Sequence, residues 1–137
     1  MKIQIVNIGH KLNGWQKEGY DDYIKRLPYS IELIELNPNK KHDLSLYFKK
    51  NHVVALDRLG KPVSSLQMAT YLHKNNQSQK IVFLIGEADG IAKEDLDLAD
   101  DIWSLSAMTF PHQLTKVILA EQLYRAHSIH VRHPYHR

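Results

Sequence analysis

The sequence predicts an α/β fold, a mostly parallel sheet flanked by helices in a single domain covering residues 1–137. Three observations predict it. Short apolar runs alternate with segments of helical spacing from one end of the chain to the other. The run KIVFLI at residues 80–85 is almost wholly apolar, as strands covered on both faces are. The chain has 137 residues, of which 43% are apolar, enough for one core without covalent staples.

The elements follow in order. Lys2–Ile8, KIQIVNI, reads as a buried strand through Ile3 and Ile5, with Val6 and Ile8 less regularly placed, and Gly9 ends it. Residues 14–27 carry Tyr20, Tyr23, Ile24 and Leu27 at helical spacing, and Pro28 stops that helix. Ser30–Leu36, SIELIEL, is a second strand closed by the turn Asn37-Pro38-Asn39. Residues 41–50 fit a short helix. Residues 52–56, HVVAL, form a third strand, and DRLGKP turns the chain after it. Residues 64–74 are helical, with Leu66, Ala69, Tyr71 and Leu72 unevenly placed. Residues 80–85 are the fourth strand and run straight into Gly86. An acidic helix over 92–99 and a fifth strand over 102–105 come next. Residues 111–127 are the longest helix, with a wide apolar face of Leu114, Val117, Ile118, Leu119 and Leu123. That face exceeds what one sheet needs, which suggests a two-fold partner.

Composition narrows the function classes. The chain has no cysteine, which removes disulfides, thiolate nucleophiles and sulfur metal sites and fits a reducing compartment. The start MKIQIVNIGHKLNG lacks the apolar region and cleavage site of a signal peptide, and no apolar run approaches the roughly 20 residues of a membrane span. The expectation is a cytoplasmic protein with no membrane partner. The net charge of +3 is mild, but its distribution is not even. Residues 94–101, EDLDLADD, are acidic, whereas residues 125–137 hold Arg125, Arg132 and Arg137 and no acid. An anionic partner near that end fits, as does an ordinary solvated tail.

In α/β sheets ligands gather outside the carboxyl ends of the strands. Three such ends stand out: Leu56-Asp57, Ile85-Gly86, and Leu105 onward. Gly86 and Gly90 allow positive φ and close approach of a ligand to the backbone, although the loop lacks the G-x-G-x-x-G and P-loop patterns, and a tight turn is the plain alternative. After Leu105 come Ser106, Ala107, Met108, Thr109 and Phe110. Small and hydroxylic residues there expose backbone groups, and Met108 and Phe110 can pack on a flat ring. The stretch HSIHVRHPYHR puts histidines at 127, 130, 133 and 136. Pro134 breaks helical alignment of the four and no acid sits among them, so no metal site is expected.

FPHQLTKVILAEQLYRA followed by HPYHR closely resembles the RlmH family, bacterial ribosomal RNA large-subunit methyltransferases of the SPOUT superfamily. MKIQIVNIG, HVVALD with GKP after it, and FLIG match too, so the resemblance spans essentially the whole chain. It implies a SPOUT-type fold with a C-terminal trefoil knot, a homodimer, and S-adenosyl-L-methionine as methyl donor. It further implies methylation of N3 of a pseudouridine in the 23S rRNA of the assembled ribosome, with no role for DNA. By the same resemblance the cofactor site uses Leu56, Gly86, Leu105, Ser106, Ala107, Met108, Thr109 and Phe110. The HPYHR end folds over the donor pocket of the partner subunit. His133 and Arg137 then meet the RNA, Tyr135 stacks on the extruded base, and His136 is the candidate general base, with His112 a second by its chemistry. Arg125 stabilises the developing anion and pairs with Glu121 four residues before it, a spacing that equally suits a surface ion pair.

Two departures from the family pattern bear on function. Glu87 stands where the family loop has a glycine, and residues 37–51 are shorter than the matching segment. Glu87 motivates an alternative, a catalytically impaired homologue that binds ribosome or RNA. A small nucleotide or redox protein of flavodoxin-like shape is the third class, disfavoured by the missing phosphate loop.

Overall fold

The computed structural model describes residues 1–75, 79–86 and 89–137. Strands β1 (Lys2–Ile8), β2 (Ser30–Leu36), β3 (His52–Pro62), β4 (Ile81–Ile85) and β5 (Asp101–Ser104) alternate with helices α1 (Gly14–Ile24), α2 (Ser45–Phe48), α3 (Ser65–Lys74), α4 (Lys93–Asp97) and α5 (His112–His130). The strands lie in the order β2-β1-β4-β3-β5, and every neighbouring pair is parallel.

The central strand β4 shows why KIVFLI is apolar throughout. Ile81, Phe83 and Ile85 enter a core shared with α1, α3 and α5, while Val82 and Leu84 enter a second core with Leu44 and Phe48. Period-two alternation with helices on both faces requires apolar residues at every position. From α5, Leu119, Ala120 and Leu123 are fully buried in the first core. α3 starts on a capping box: Gln67 N donates to Ser64 Oγ at 3.0 Å, and Ser64 N donates to Gln67 Oε1 at 2.8 Å.

The elements differ from expectation at their ends. The helix expected over 14–27 stops at Ile24, and tighter i→i+3 bonds carry the chain on through Arg26 N to Tyr23 O and Leu27 N to Ile24 O. The helix expected over 41–50 shrinks to Ser45–Phe48, because Asp43 Oδ1 accepts from both Ser45 N and Ser45 Oγ and holds a turn there. β3 runs on to Pro62: its register on β5 shifts between Leu56 and Lys61, so Trp103 is opposite both. Gly60 makes this close approach possible. A Cβ on it would lie 2.8 Å from the carbonyl oxygen of Ile102. Among the described residues no helix is long and apolar enough to cross a membrane.

Candidate functional site

Loops from three strand ends enclose one pocket. Leu56 and Asp57 come from β3, with Arg58 and Leu59 continuing into it; Asp89 and Gly90 come from the loop after β4; Leu105, Ser106, Met108, Thr109 and Phe110 follow β5; and Thr115 reaches in from α5. Its volume is about 340 Å³, within the usual range for a small-molecule site. The walls are apolar at Leu56, Leu105, Met108 and Phe110, with hydroxyls at Ser106, Thr109 and Thr115 and carboxylates at Asp57 and Asp89. Ser106 is held in place from two sides: its carbonyl accepts from Ser104 Oγ at 2.9 Å, and its hydroxyl accepts from Met108 N at 3.0 Å. Met108 and Leu59 are 72% and 80% exposed at the mouth, a large apolar surface to leave in water.

Six of the residues expected at a cofactor site, Leu56, Leu105, Ser106, Met108, Thr109 and Phe110, come together in this pocket. Ala107 and Gly86 are not part of its lining. Gly86 also lacks the positive φ expected of it; that conformation belongs to Gly90, at φ +86°. What requires a glycine at 86 is its own loop: an added Cβ would sit 2.7 Å from the Gly90 carbonyl. Glu87 lies outside the described residues. Asp89, Arg58 and Thr115 went unsingled in the sequence, since an acid in a loop and a threonine in a helix carry no distinguishing pattern.

The second constellation lies on α5. Arg125 Nε donates to Glu121 at 3.0 and 3.3 Å, and Arg125 Nη2 donates to Glu121 Oε2 at 3.2 Å. The Tyr135 hydroxyl donates to the same carboxylate at 3.3 Å, and the Arg125 guanidinium sits 4.9 Å from the centre of the Tyr135 ring. Arg125 Nη1 donates to His136 Nδ1 at 3.2 Å. A guanidinium has no acceptor, so Nδ1 must carry the lone pair and Nε2 the proton. His136 Nδ1 is thereby the acceptor of the Arg125 bond, and Nε2 presents an N–H. The Glu121 carboxylate holds Arg125 firmly charged, above its ordinary value. Burial, a bond with Tyr23 and the Glu121 charge push the Tyr135 hydroxyl up to about 12, so it stays protonated.

The residues expected to do the chemistry, Glu121, Arg125, Tyr135 and His136, are thus brought into one cluster. His133 is exposed; its ring accepts from Tyr135 N at 3.1 Å, and its N–H donates to Ser128 O at 2.8 Å. Arg137 is exposed at the end of the tail. His112 is elsewhere, at the start of α5 beside Gly9 and 6.1 Å from the His10 ring.

The pocket and the cluster are apart within one chain. α5 begins near Gly9, at the carboxyl ends of the strands, and its last turns pack beside Met1 and Tyr29 at the amino ends. Its 19 residues span about 28 Å. No residue beyond Thr115 lines the pocket.

A profile described as "Predicted SPOUT methyltransferase" matches residues 1–136. The chain belongs to the SPOUT methyltransferase family. Among its SPOUT relatives, a "Ribosomal RNA large subunit methyltransferase H" of Coxiella burnetii (strain Dugway 5J108-111) is 38% identical over 155 aligned residues, covering all of both chains. The protein of the same name from Legionella pneumophila (strain Lens) is 39% identical, covering all of this chain and 99% of its own. The structure of a probable methylase family protein from Haemophilus influenzae Rd KW20 superposes with a TM-score of 0.66 at 11% identity, over 98% of this chain and 70% of that one. At that identity the likeness is one of fold, and it agrees with a SPOUT sheet of five parallel strands. SPOUT methyltransferases in general use S-adenosylmethionine. The pocket suits that molecule: it offers an apolar slot for a flat ring, hydroxyls for polar groups, and Asp57 and Asp89 for the positive charge of a sulfonium and an ammonium.

Proposed function

We propose that this protein is an S-adenosylmethionine-dependent methyltransferase that methylates N3 of a pseudouridine in 23S rRNA, acting as a homodimer on the assembled ribosome. The observation that carries the proposal is the division of the machinery: the pocket lies at one end of the sheet, and the Glu121–Arg125–Tyr135–His136 cluster lies along α5 away from it. A two-fold partner supplies the cluster that each pocket lacks. Leu114, Ile118, Glu121 and Arg125 share the face of α5 turned away from the buried Leu119 and Leu123, and Leu114 and Ile118 remain half-buried there. They are the apolar part of the dimer surface, together with the exposed Met108 and Leu59 at the pocket mouth. A C-terminal trefoil knot belongs to the same reading and is consistent with the SPOUT fold.

When bound, S-adenosylmethionine supplies a methyl group activated on a sulfonium. The chain's own residues do the rest. Leu56, Leu105, Met108 and Phe110 hold the donor, and Ser106 and Thr109 orient its polar groups. Tyr135 offers a ring face to the extruded base. The N3 proton passes to solvent, and the anion left on the base is stabilised by the Arg125 charge and by His136 Nε2–H. Glu121 keeps Arg125 and Tyr135 in place. The ribosomal substrate is supported by the relatives, which are named ribosomal RNA large subunit methyltransferases.

The test is mass spectrometry of 23S rRNA from cells with and without the protein, paired with calorimetric titration of S-adenosylmethionine. A methyl group missing from one pseudouridine in the deletion strain is expected. An unchanged pattern together with no heat of binding overturns the enzyme and leaves the alternative of an RNA-binding homologue.

A further inference from the structure

A second cavity, of about 210 Å³, lies at the opposite end of the sheet from the donor pocket, between the last turns of α3 and α5. Its floor is apolar, formed by Met1, Ala69, Leu72 and Ala126, and Tyr29 and His127 wall it with rings packed edge to face at 6.2 Å. His73 from α3 and His130 from α5 complete the rim, their ring centres 4.4 Å apart. Drug-sized ligands need about 300 Å³ or more, so this volume suits a single planar ring.

We propose that this cavity seats one base of the RNA strand, with its phosphates held by the cations at the rim, as a contact distinct from the reacting nucleotide. The inference rests on the reading of the chain as an RNA-acting enzyme. Four features support it. The rim is cationic: Lys74 adjoins His73 on α3, and Arg132 and His133 follow His130 within three residues. Among the described residues no acid lines the cavity. An aromatic wall over an apolar floor is the arrangement on which bases of any sequence stack. The tail also follows directly from the rim, with His133 and Tyr135 three and five residues after the lining residue His130. A strand that presents its reacting base to Tyr135 therefore has a neighbouring nucleotide within reach of the cavity.

The groups facing the histidines set the pH response. Burial first, then the charges of His130 and His133, push His127 down. Tyr29 is neutral, its hydroxyl pushed up to about 12 by burial. The Met1 ammonium is at the cavity, Lys2, Lys74 and Arg125 adjoin lining residues in sequence, and Arg132 follows His130 by two; all of them are cationic. A phosphate relieves this mutual repulsion and favours protonated imidazole, so binding should tighten as pH falls.

The experiment uses the full chain and a short fluorescein-labelled single-stranded RNA, with anisotropy as readout. His73→Gln combined with His130→Gln should weaken binding about tenfold at pH 6, much less at pH 8, and reduce the salt slope by about 1–2. Tyr29→Leu should weaken binding about five- to a hundredfold at every pH, the range for one lost stack, with the salt slope unchanged. Uridine monophosphate should not compete at millimolar concentration. Calorimetric binding of S-adenosylmethionine and sedimentation should match the parent protein. RNA affinity unaffected in both variants overturns the proposal. So does a shift in oligomeric state, which would make the cavity a subunit interface, and so does competition by the mononucleotide, which would make it a small-ligand site. In the unaltered protein, photocrosslinking of bromouridine-substituted RNA should label Tyr29, and labelling confined to the tail overturns the base seat without any variant. Absence of S-adenosylmethionine binding in the parent protein would remove the enzyme reading while leaving the RNA result to stand or fall on these measurements.

Discussion

Lys116 has no solvent-exposed side-chain surface, yet its ammonium lies 2.7 Å from Glu35 Oε2 and 3.0 Å from the His10 carbonyl. Glu35 also accepts from Leu12 N at 2.6 Å, so one carboxylate ties α5 to the loop after β1. Burial pulls the lysine down from its ordinary value, and the bond and charge of Glu35 oppose it. Removing one member of such a pair typically costs about 3–5 kcal/mol, because the other charge is left uncompensated. Lys116→Met should lose about that much in urea unfolding, and Lys116→Met with Glu35→Gln should lose clearly less than the sum of the two single changes. A double variant as unstable as that sum would show the two groups to be uncoupled. Tyrosines give the residue scale a pH signature. The unfolded chain ionises its tyrosines near 10, while Tyr29 holds its proton to about 12 and Tyr20 is raised further by burial. Their folded values lie above the unfolded one, so this stability is complete below pH 10 and is lost as pH rises from there through 12. Denaturation midpoints should be flat from pH 8 to 9.5 and fall steeply above. At the proposed reaction centre, His136→Ala should lower turnover at saturating RNA about 10²–10³-fold, the usual loss for one donor to a developing anion. The parent's rate retained in that variant would remove His136 from the reaction.

The end of α5 departs from what the sequence offered for a physical reason that the cap makes plain. The helix was expected to stop at His127 and runs to His130, closed by a Schellman motif. His133 N donates to Ser128 O at 2.8 Å, Arg132 N donates to Ile129 O at 3.3 Å, and Arg132 takes the left-handed conformation at φ +60°. Glycine is the residue that usually signals such a cap, and its absence here hid the helix end. An arginine in that conformation is strained by roughly 1–2 kcal/mol. Arg132→Gly should therefore raise stability by about 1 kcal/mol in thermal unfolding, keep the tail's path, and weaken RNA binding slightly through the lost charge. A loss of stability would mean that Arg132 makes contacts that outweigh its strain. The five parallel strands were legible because each carried its own apolar run, and KIVFLI showed the two-sided burial directly. The extension of β3 to Pro62 was not legible, because DRLGKP is turn-rich and pairs only where Gly60 admits the β5 backbone. Within the pocket, six of the eight positions expected there converge, since strand ends are fixed by the strands themselves. Gly86 does not, because its role is to make room for Gly90 within the same loop. Lys116 gave no signal at all: a lone lysine in a helix reads as solvated until tertiary structure supplies Glu35.

The whole molecule turns on where the tail acts. Deleting residues 133–137 removes the His133 N to Ser128 O bond of the cap but should leave the sheet and the body of α5 intact, because the buried Leu119 and Leu123 and the Arg132 N to Ile129 O bond precede the cut. If the tail serves a partner's pocket, turnover should collapse while S-adenosylmethionine binding survives. A mixing experiment separates this from service to its own pocket. Thr109→Trp fills the donor pocket of a subunit and leaves its tail whole, whereas the deletion leaves the pocket whole and removes the tail. Each homodimer should be nearly inactive. In a mixed dimer, however, the intact pocket of the truncated subunit faces the intact tail of the Thr109→Trp subunit. One complete site is formed, so activity should return on mixing after subunit exchange, in proportion to the mixed species. A tail that folded onto its own pocket could not be rescued in this way, because every intact pocket would belong to a chain without a tail. The 28 Å length of α5, running from one end of the strands to the other, favours the first outcome. Continued inactivity of a mixture shown by mass spectrometry to contain mixed dimers would contradict the shared site and leave each tail serving the pocket of its own chain.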